Sequence, residues 1–179
     1  MDESAPLLEV VRLGHPVLRS VADEVPEDWF GSGRLADLGQ AMVRTMIEEQ
    51  GVGLAAPQVA EALRLFSYWV PETDEDPEIA PRILINPEVR SIGEGEEEGW
   101  EGCLSIPGLR GLVPRPQRIK VKARNIDGEP ISLTADGFHA RVIQHENDHL
   151  DGVVFLDRMT STQSLAFEPE WERYVLAAE

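Results

Sequence analysis

Two histidines lie four residues apart in the segment from Gln144 to Gly152, which reads QHENDHLDG. Residues four apart on an α-helix share one face, so His145 and His149 could bind one metal ion from the same side. Glu146 directly follows the first histidine and could take a proton from metal-bound water. The pattern favours a metal-dependent hydrolase, although an amphipathic helix can also carry these residues by chance.

A catalytic metal site of this type needs a third protein ligand and one open position. No histidine follows His149, but three glutamates lie downstream in a segment that also resembles a surface helix: Glu168, Glu170 and Glu172. The single cysteine, Cys103, lies upstream, next to Gly102 and just before a turn that contains a proline. A lone cysteine is usually a small buried apolar residue, so spacing alone leaves both sources of the third ligand open.

The helix that carries the histidines has recognisable ends. Asp136 is predicted to cap its start and Gly152 to follow its end. Four apolar residues at mostly helical spacing give it a face to bury: Phe138, Val142, Ile143 and Leu150. His139 lies six residues before His145, which puts it on another face, and we predict that it is not a ligand. His15 precedes a proline and is predicted to be structural or exposed.

The surrounding elements are mainly strands. Strand-like segments cover residues 63–70, 82–86, 88–92, 118–125 and 131–133, with Asp127-Gly128 as a hairpin turn. Residues 33–50 predict a helix that Gly51 ends. Residues 71–81 predict a surface loop, and residues 94–99 a solvated acidic turn. The expected fold class is therefore α+β, with largely antiparallel sheets packed around the central helix that carries the His-Glu-x-x-His motif.

Composition limits the possible partners and compartment. The 179 residues include 16 Lys and Arg against 33 Asp and Glu, a formal charge of −17 that argues against a broad nucleic-acid surface. A basic stretch between residues 110 and 124 is predicted to be mostly a solvated strand face. The chain has no long apolar run, its N-terminus has no signal-peptide pattern, and one cysteine suits a reducing compartment. These features predict a cytoplasmic protein.

The sequence resembles the peptide deformylase family at three separate motifs. These are GVGLAAPQ at residues 51–58, EGCLS at residues 101–105 and the QHENDHLDG segment, in the order in which the family has them. The similarity extends up to about Arg158. We therefore treat residues 1–179 as one catalytic domain, with a core at about residues 7–158 and a C-terminal tail with a short helix at residues 161–179.

The resemblance implies an amide hydrolase that removes the formyl group from the N-terminal formyl-methionine of newly synthesised proteins. It implies that Cys103, His145 and His149 bind one divalent ion, natively Fe²⁺, with Zn²⁺, Ni²⁺ or Co²⁺ as substitutes. Metal-bound hydroxide would attack the formyl carbon, with Glu146 as general base and acid. The Gln58 amide and the Leu104 backbone N–H would stabilise the oxyanion. A zinc peptidase with a downstream glutamate ligand is the alternative.

Substrate contacts follow from the same resemblance. We expect Val52, Phe138 and Val142, with the stem of Glu101, to line an apolar slot for the methionine side chain. The backbone of Gly53 could pair with an extended peptide, and Arg110 matches a family position near the peptide cleft. Gly99 and Trp100 replace residues that are often aliphatic and acidic, so the slot's rim is expected to differ. The expected partners are formyl-methionyl nascent chains, with transient ribosome contact and no membrane or specific nucleic acid, and the protein is expected to be a monomer.

Overall fold

The computed structural model describes residues 5–72 and 77–178. Eight strands run in chain order: β1 (Gly53–Ala55), β2 (Leu65–Val70), β3 (Ile79–Ser91), β4 (Glu96–Cys103), β5 (Ile106–Pro116), β6 (Arg118–Arg124), β7 (Pro130–Asp136) and β8 (Ala166–Phe167). Four α-helices accompany them: α1 (Gly33–Glu48), α2 (Gly137–Leu150), α3 (Phe155–Arg158) and α4 (Glu168–Tyr174). The mixture of helices and strands fits the predicted α+β class.

The strands form two antiparallel sheets. A five-stranded sheet has the order β1-β2-β3-β6-β7, and a three-stranded sheet has the order β4-β5-β8. Strand β1 therefore lies at an edge of the larger sheet. Strand β4 lies at an edge of the smaller one. Free edges matter here because an extended peptide can pair with one.

Helix α2 lies between the two sheets. Ala140, Ile143 and Leu150 are buried with residues of the larger sheet in one core cluster. Phe155, just after the helix, packs with Ile106 and Val113 of β5 in a second cluster. Helix α1 packs on strands β1, β2 and β3 of the larger sheet. It does so through Leu35, Met42 and Met46, which are fully buried. Packing on both sides fixes α2, so side chains along its length have defined positions.

The two predicted strands at residues 82–86 and 88–92 form a single strand, β3. Its pairing with β6 shifts register between Ile85 and Glu88. Asn86 sits in this bulge with φ of 50°, a conformation that asparagine tolerates better than most residues. Its side chain accepts from the Val25 N–H at 2.9 Å and donates to the Val25 carbonyl at 3.1 Å. The predicted break is therefore a bulge that ties β3 to the N-terminal segment.

The acidic turn predicted at residues 94–99 is mostly strand. The turn is limited to residues 92–95, where Gly93 and Gly95 have positive φ, and β4 starts at Glu96. The exposed glutamates of β4 pair with β5, for example Glu97 opposite Arg115. Charged side chains on an edge strand discourage pairing with other chains, which explains an acidic run in a sheet.

Two predicted helix ends differ in detail. Asp136 is at the N-cap position of α2, but its side chain makes no capping hydrogen bond and instead pairs with Arg118 at 3.1 Å. Helix α1 ends at Glu48, and Gln50 rather than Gly51 adopts the left-handed conformation, with φ of 58°. Gly152, with φ of 72°, does follow the end of α2 as predicted.

The C-terminal segment folds back onto the smaller sheet. Strand β8 pairs Phe167 with Leu109 and Ala166 with Arg110 of β5. Helix α4 follows directly, and its Trp171 ring lies 5.9 Å from the ring of Trp100 on β4. No helix among residues 5–72 and 77–178 is long and apolar enough to cross a membrane.

Candidate metal centre and active site

The structure brings Cys103, His145 and His149 together. One potential ligand atom from each lies within 4.8 Å of the others, and no other group of three such side chains occurs in the described residues. The two histidines project from one face of α2, and Cys103 ends strand β4. The Cys103 Sγ is 3.4 Å from the His149 Nε2. We call these three residues the ligand cluster.

Glu101 holds the first histidine in place. Its carboxylate accepts from the His145 Nδ1 at 2.9 Å, which leaves the Nε2 of that ring for a metal. Arg115 donates to both carboxylate oxygens, at 2.6 and 2.9 Å, and Arg141 donates at 2.9 Å. Burial alone would raise the pKa of Glu101, but the bonds from Arg115 and His145 outweigh it and hold the pKa well below 4.5. Glu101 is therefore an ionised carboxylate that orients the His145 ring, a candidate metal ligand.

This role of Glu101 was not predicted from the sequence. Its stem was predicted to line the methionine slot, and Glu101 does line the cavity described below, but its side chain is only 4% exposed and its carboxylate is held in ion pairs. The sequence signal that could have found it is an acidic residue two positions before the candidate ligand Cys103, because metal-binding histidines commonly donate their second N–H to a carboxylate. Arg115 on β5 and Arg141 on α2 bind the Glu101 carboxylate, and no local sequence pattern predicts either contact.

A second buried carboxylate extends the ion-pair network. Asp148 on α2 accepts from the Arg115 Nη1 at 2.8 Å and from Arg158 at 2.7 and 3.1 Å. Arg115 thus bridges Glu101 and Asp148, although it belongs to the basic stretch predicted to be mostly solvated. Buried ion pairs of this kind add little net stability but become costly when one partner is removed, so they fix α2 relative to β4 and β5.

Arg141 occupies space that a side chain at position 99 would need. A Cβ on Gly99 would lie 2.7 Å from the Arg141 guanidinium carbon. The guanidinium donates to the carbonyls of Glu97 and Val113 as well as to Glu101. The unusual Gly99 noted in the sequence is thus explained, because it admits an arginine that anchors Glu101.

Gln58 faces the ligand cluster from the segment after β1. Its Oε1 accepts from the Ala55 N–H at 2.8 Å, which turns the amide nitrogen towards Cys103. The Nε2 lies 3.4 Å from the Cys103 Sγ and 3.3 Å from the Ser105 Oγ. The side chain is 1% exposed. It is a fixed, neutral hydrogen-bond donor beside the ligand cluster.

Glu146 is buried next to the ligand cluster and against the backbone of Gly53. A Cβ on Gly53 would lie 2.1 Å from the Glu146 Oε1, so only glycine fits there. Burial raises the pKa of Glu146 to about 7, even though the neighbouring His145 lowers it. Its Oε2 is buried without a hydrogen-bond partner among the described residues. A carboxylate with this pKa can both accept and return a proton near neutral pH.

The residues of the ligand cluster fit a divalent transition metal. One thiol and two imidazoles form a three-ligand set that leaves a fourth position for a reactant. Burial holds the pKa of His149 well below its usual value, which favours the neutral imidazole that ligation requires. The pKa of His145 is raised, because its contacts with Cys103 and Glu101 outweigh burial, so a metal would have to displace a proton from this ring. The Glu146 Oε2, which is buried without a hydrogen-bond partner among the described residues, is a polar atom that could contact a bound reactant.

A cavity of about 780 Å³ opens onto this centre. Every predicted substrate-contact residue lies in its lining: Val52, Gly53, Glu101, Arg110, Phe138 and Val142. Leu104, Gln58 and Glu146 line it as well. Val142 is buried and Phe138 is 46% exposed. The cavity thus joins the ligand cluster, the proton acceptor and an apolar wall.

The remaining candidate ligands lie elsewhere. The His139 Nε2 is 3.2 Å from the Tyr68 hydroxyl, and the His15 Nδ1 accepts from the Val17 N–H at 3.3 Å. Glu168 is bound by Arg110 at 2.9 Å, and Glu170 and Glu172 are exposed. None of these residues belongs to the ligand cluster, so the glutamate-ligand alternative has no geometric support.

Replacing Glu101 with glutamine tests how His145 is held. The variant loses the charge that compensates Arg115 and Arg141, and we expect the free energy of unfolding to fall by about 3 kcal/mol. Metal affinity should fall about 10–100-fold, because the His145 ring is no longer oriented by a carboxylate. Urea unfolding and metal titration measure the two effects. Glu98→Gln, an exposed change on the same strand, is the control and should alter neither.

The same carboxylate should make stability depend on pH. The folded-state pKa of Glu101 lies below 4.5, so its contribution is present above pH 4.5 and is lost as the pH falls towards the folded-state pKa. The difference in unfolding free energy between the wild type and Glu101→Gln should therefore shrink as the pH drops from about 6 to about 3. A constant difference across this range would contradict an ionised Glu101.

Fold and site together define a metal-dependent hydrolase, with a cluster of one cysteine and two histidines that could hold the ion. Residues 7–164 match the model of the polypeptide deformylase family. Peptide deformylase 2 of Pseudomonas syringae pv. tomato is 42% identical over 88% of this chain and 90% of its own length. Peptide deformylase 1 of Prochlorococcus marinus is 44% identical over 92% and 86%, respectively. The chain belongs to the polypeptide deformylase family.

Solved structures agree with this assignment. A crystal structure of a class I type b peptide deformylase from Acinetobacter baumannii, with Met-Ala-Ser bound, has a TM-score of 0.82 and 37% identity. The match covers 87% of this chain and 99% of that one. Peptide deformylase from Thermotoga maritima gives a TM-score of 0.77, with 37% identity and the same coverage. The family model stops at residue 164, before β8 and α4.

Proposed function

We propose that this protein removes the formyl group from the N-terminal formyl-methionine of newly synthesised proteins, by metal-dependent hydrolysis that yields formate and a free amine. The observation that carries the proposal is the cluster of Cys103, His145 and His149 beside a cavity that the Gln58 amide and the Glu146 carboxylate also line. Membership of the deformylase family supports the same reaction.

Cys103, His145 and His149 would hold the metal in this proposal. When bound, a divalent ion supplies Lewis acidity and lowers the pKa of water. Glu146 accepts the proton of the attacking water and returns it to the departing amine nitrogen, a task that suits a pKa of about 7. Gly53 leaves room for the carboxylate beside the ligand cluster.

The developing negative charge lies on the formyl oxygen. We assign the Gln58 Nε2–H and the Leu104 backbone N–H as its donors. The Ala55 N–H fixes the orientation of the Gln58 amide before substrate binds, so little reorganisation is needed during the reaction. Loss of one such donor typically costs about 3–4 kcal/mol of transition-state stabilisation.

The peptide chain would bind at the free edge of β1. Gly53 pairs with Tyr68 on one side only, because β1 is an edge strand. An extended substrate can add to this edge by backbone hydrogen bonds. The methionine side chain would then pack against Val52, Phe138 and Val142, which line the cavity.

Gly53→Ala tests whether the close approach of Glu146 matters. The added methyl group would collide with the Glu146 Oε1, and displacement of the carboxylate should lower kcat by about 100-fold. Gly33→Ala is the matched control, since a Cβ there meets no atom within 4 Å. Steady-state kinetics on formyl-Met-Ala-Ser distinguishes the two variants. Equal kcat in Gly53→Ala and Gly33→Ala would show that turnover does not depend on the position of Glu146 against Gly53.

The direct test of the function uses protein loaded with Fe²⁺ without oxygen. Incubation with formyl-Met-Ala-Ser should release one free amine per peptide cleaved, with metal content measured on the same sample. No release from fully metallated protein would overturn the proposal. The same experiment with Zn²⁺, Ni²⁺ and Co²⁺ tests our assignment of Fe²⁺ as the native ion.

The cellular setting is part of the proposal. We place the protein in the cytoplasm as a monomer. It would meet nascent chains at the ribosome, because its proposed substrate is the formyl-methionine at their N-terminus. The formal charge of −17 disfavours broad binding to ribosomal RNA, so contact with the ribosome would be transient.

A further inference from the structure

An indole N–H outside the cavity bonds to the backbone that forms part of the cavity wall. Trp69 lies on β2 and is not among the residues that line the cavity. Its Nε1–H donates to the Gly51 carbonyl at 2.8 Å. Gly51, Val52 and Gly53 lead from α1 into β1, and all three line the cavity. We call these three residues the glycine segment.

The start of the glycine segment is fixed by the way in which α1 ends. The Gly51 N–H donates to the Met46 carbonyl at 2.8 Å, and the N–H of residue 50 donates to the Ile47 carbonyl at 3.0 Å. Gln50 itself is left-handed, with φ of 58°. This is the Schellman arrangement, in which two hydrogen bonds set the direction of the chain as it leaves a helix.

Trp69 holds the glycine segment through two separate hydrogen bonds. Its backbone N–H donates to the Val52 carbonyl at 3.0 Å, which continues the pairing of β2 with β1. Its indole N–H binds the preceding carbonyl, that of Gly51. The backbone bond is available to any residue except proline at position 69, whereas the second bond depends on the indole.

The glycine segment touches two groups that are assigned to the reaction. A Cβ on Gly53 would lie 2.1 Å from the Glu146 Oε1, and a Cβ on Gly51 would lie 2.8 Å from the Leu104 Cδ1. One end of the segment therefore packs against the proposed proton acceptor. The other end packs against the residue whose backbone N–H is assigned to the oxyanion. A shift of this backbone would be passed directly to both groups.

The indole of Trp69 is suited to hold a backbone group in a fixed place. The ring is partly buried against the core cluster that includes Met42 of α1, Leu54 of β1 and Leu65 of β2. Packing of a ring with only two side-chain torsions gives its N–H a defined direction. The bond to Gly51 also satisfies the indole N–H, a role that by itself would affect only stability.

We propose that Trp69 is a positioning residue, whose indole N–H holds the Gly51 carbonyl and thereby keeps the glycine segment against Glu146 and Leu104. It acts through the backbone and makes no contact with the substrate. This inference rests on the proposed deformylase activity, and it concerns the placement of the reacting groups in the transition state.

Trp69→Phe removes the indole N–H and keeps an aromatic ring in the core. We expect kcat on formyl-Met-Ala-Ser, measured per metal-loaded chain, to fall by about 10-fold, because a displacement of about 1 Å can cost about 100-fold and one lost bond should permit a smaller shift. KM should change by less than about threefold, since Glu146 and the Leu104 N–H act on the transition state.

Trp29→Phe is the matched control. Trp29 packs against the same core cluster, with its ring under the Arg34 guanidinium, and it does not line the cavity. The control should keep the wild-type kcat per metal-loaded chain. Equal kcat in Trp69→Phe and Trp29→Phe would overturn the proposal, as would a change in KM alone.

Two further measurements separate positioning from folding and from the assigned reaction. Benzothienyl-alanine at position 69 keeps the shape of the indole but has sulfur in place of the N–H, so it should fold normally and show the same loss of kcat. Hydrogen exchange of the backbone amides at residues 51–55 should be faster than in the wild type for both changes at position 69, and not for Trp29→Phe. Unchanged exchange would overturn the proposal. Failure of the wild type to hydrolyse the formyl peptide would instead refute the deformylase function.

Discussion

Glu146→Gln is expected to lower kcat about 10²–10⁴-fold while the protein keeps its metal. Glutamine has nearly the same shape as glutamate, so it should fit between Gly53 and the ligand cluster without disturbing the packing. It cannot accept a proton from water, and turnover should fall for that reason alone. The measurement is the amine released from formyl-Met-Ala-Ser, together with metal content per chain.

Two controls make the result of Glu146→Gln interpretable. The ligand cluster does not include Glu146, so metal analysis should show wild-type occupancy. The exposed Glu170→Gln variant carries the same chemical change away from the cavity and should keep wild-type kcat. Unchanged turnover in Glu146→Gln would remove this residue as the proton acceptor. Loss of metal would instead indicate that Glu146 is needed to maintain the ligand cluster.

Cys103→Ala should abolish stable metal binding. The substitution removes one of three ligands and leaves two histidines on a single helix, which is too few for a catalytic site of this type. We expect metal content after gel filtration to fall from about one ion per chain to near zero. The stabilisation of the wild type against heat by added metal should disappear with it.

Glu168→Ala separates this expectation from the peptidase alternative. If a downstream glutamate were the third ligand, Cys103→Ala would retain metal, and Glu168→Ala would lose it if that glutamate were Glu168. Since Arg110 binds Glu168 away from the ligand cluster, we expect the opposite pattern. Metal analysis of both variants, prepared side by side, decides between the two ligand sets.

Local sequence patterns were sufficient for the central helix. His145 and His149 share a face because helical geometry places residues four apart together, and Gly152 follows the helix where a left-handed residue is favoured. The alternating pattern of residues 118–125 and the Asp127-Gly128 turn likewise predicted β6 and β7, which pair as a hairpin. These features depend on neighbours within a few residues of each other.

The family resemblance identified the third candidate metal ligand, which the spacing of residues could not do. The sequence alone left the third ligand open between Cys103 and a downstream glutamate. In the structure, Cys103 lies beside the helix, although it precedes His145 by more than forty residues. Resemblance also drew attention to Gln58, whose side chain faces Cys103. Local periodicity has no means of pairing such distant positions, because their meeting depends on how the two sheets enclose α2.

The sequence by itself determined the types of groups available for catalysis, the α+β class and the helix on which two of the expected ligands lie. Only the tertiary structure decided how those groups are held. Glu101 orients His145, Arg141 uses the space left by Gly99, and Glu168 pairs with Arg110. Each contact joins residues from different strands or helices, and buried charges must find such partners wherever the fold provides them, because leaving them unpaired is costly.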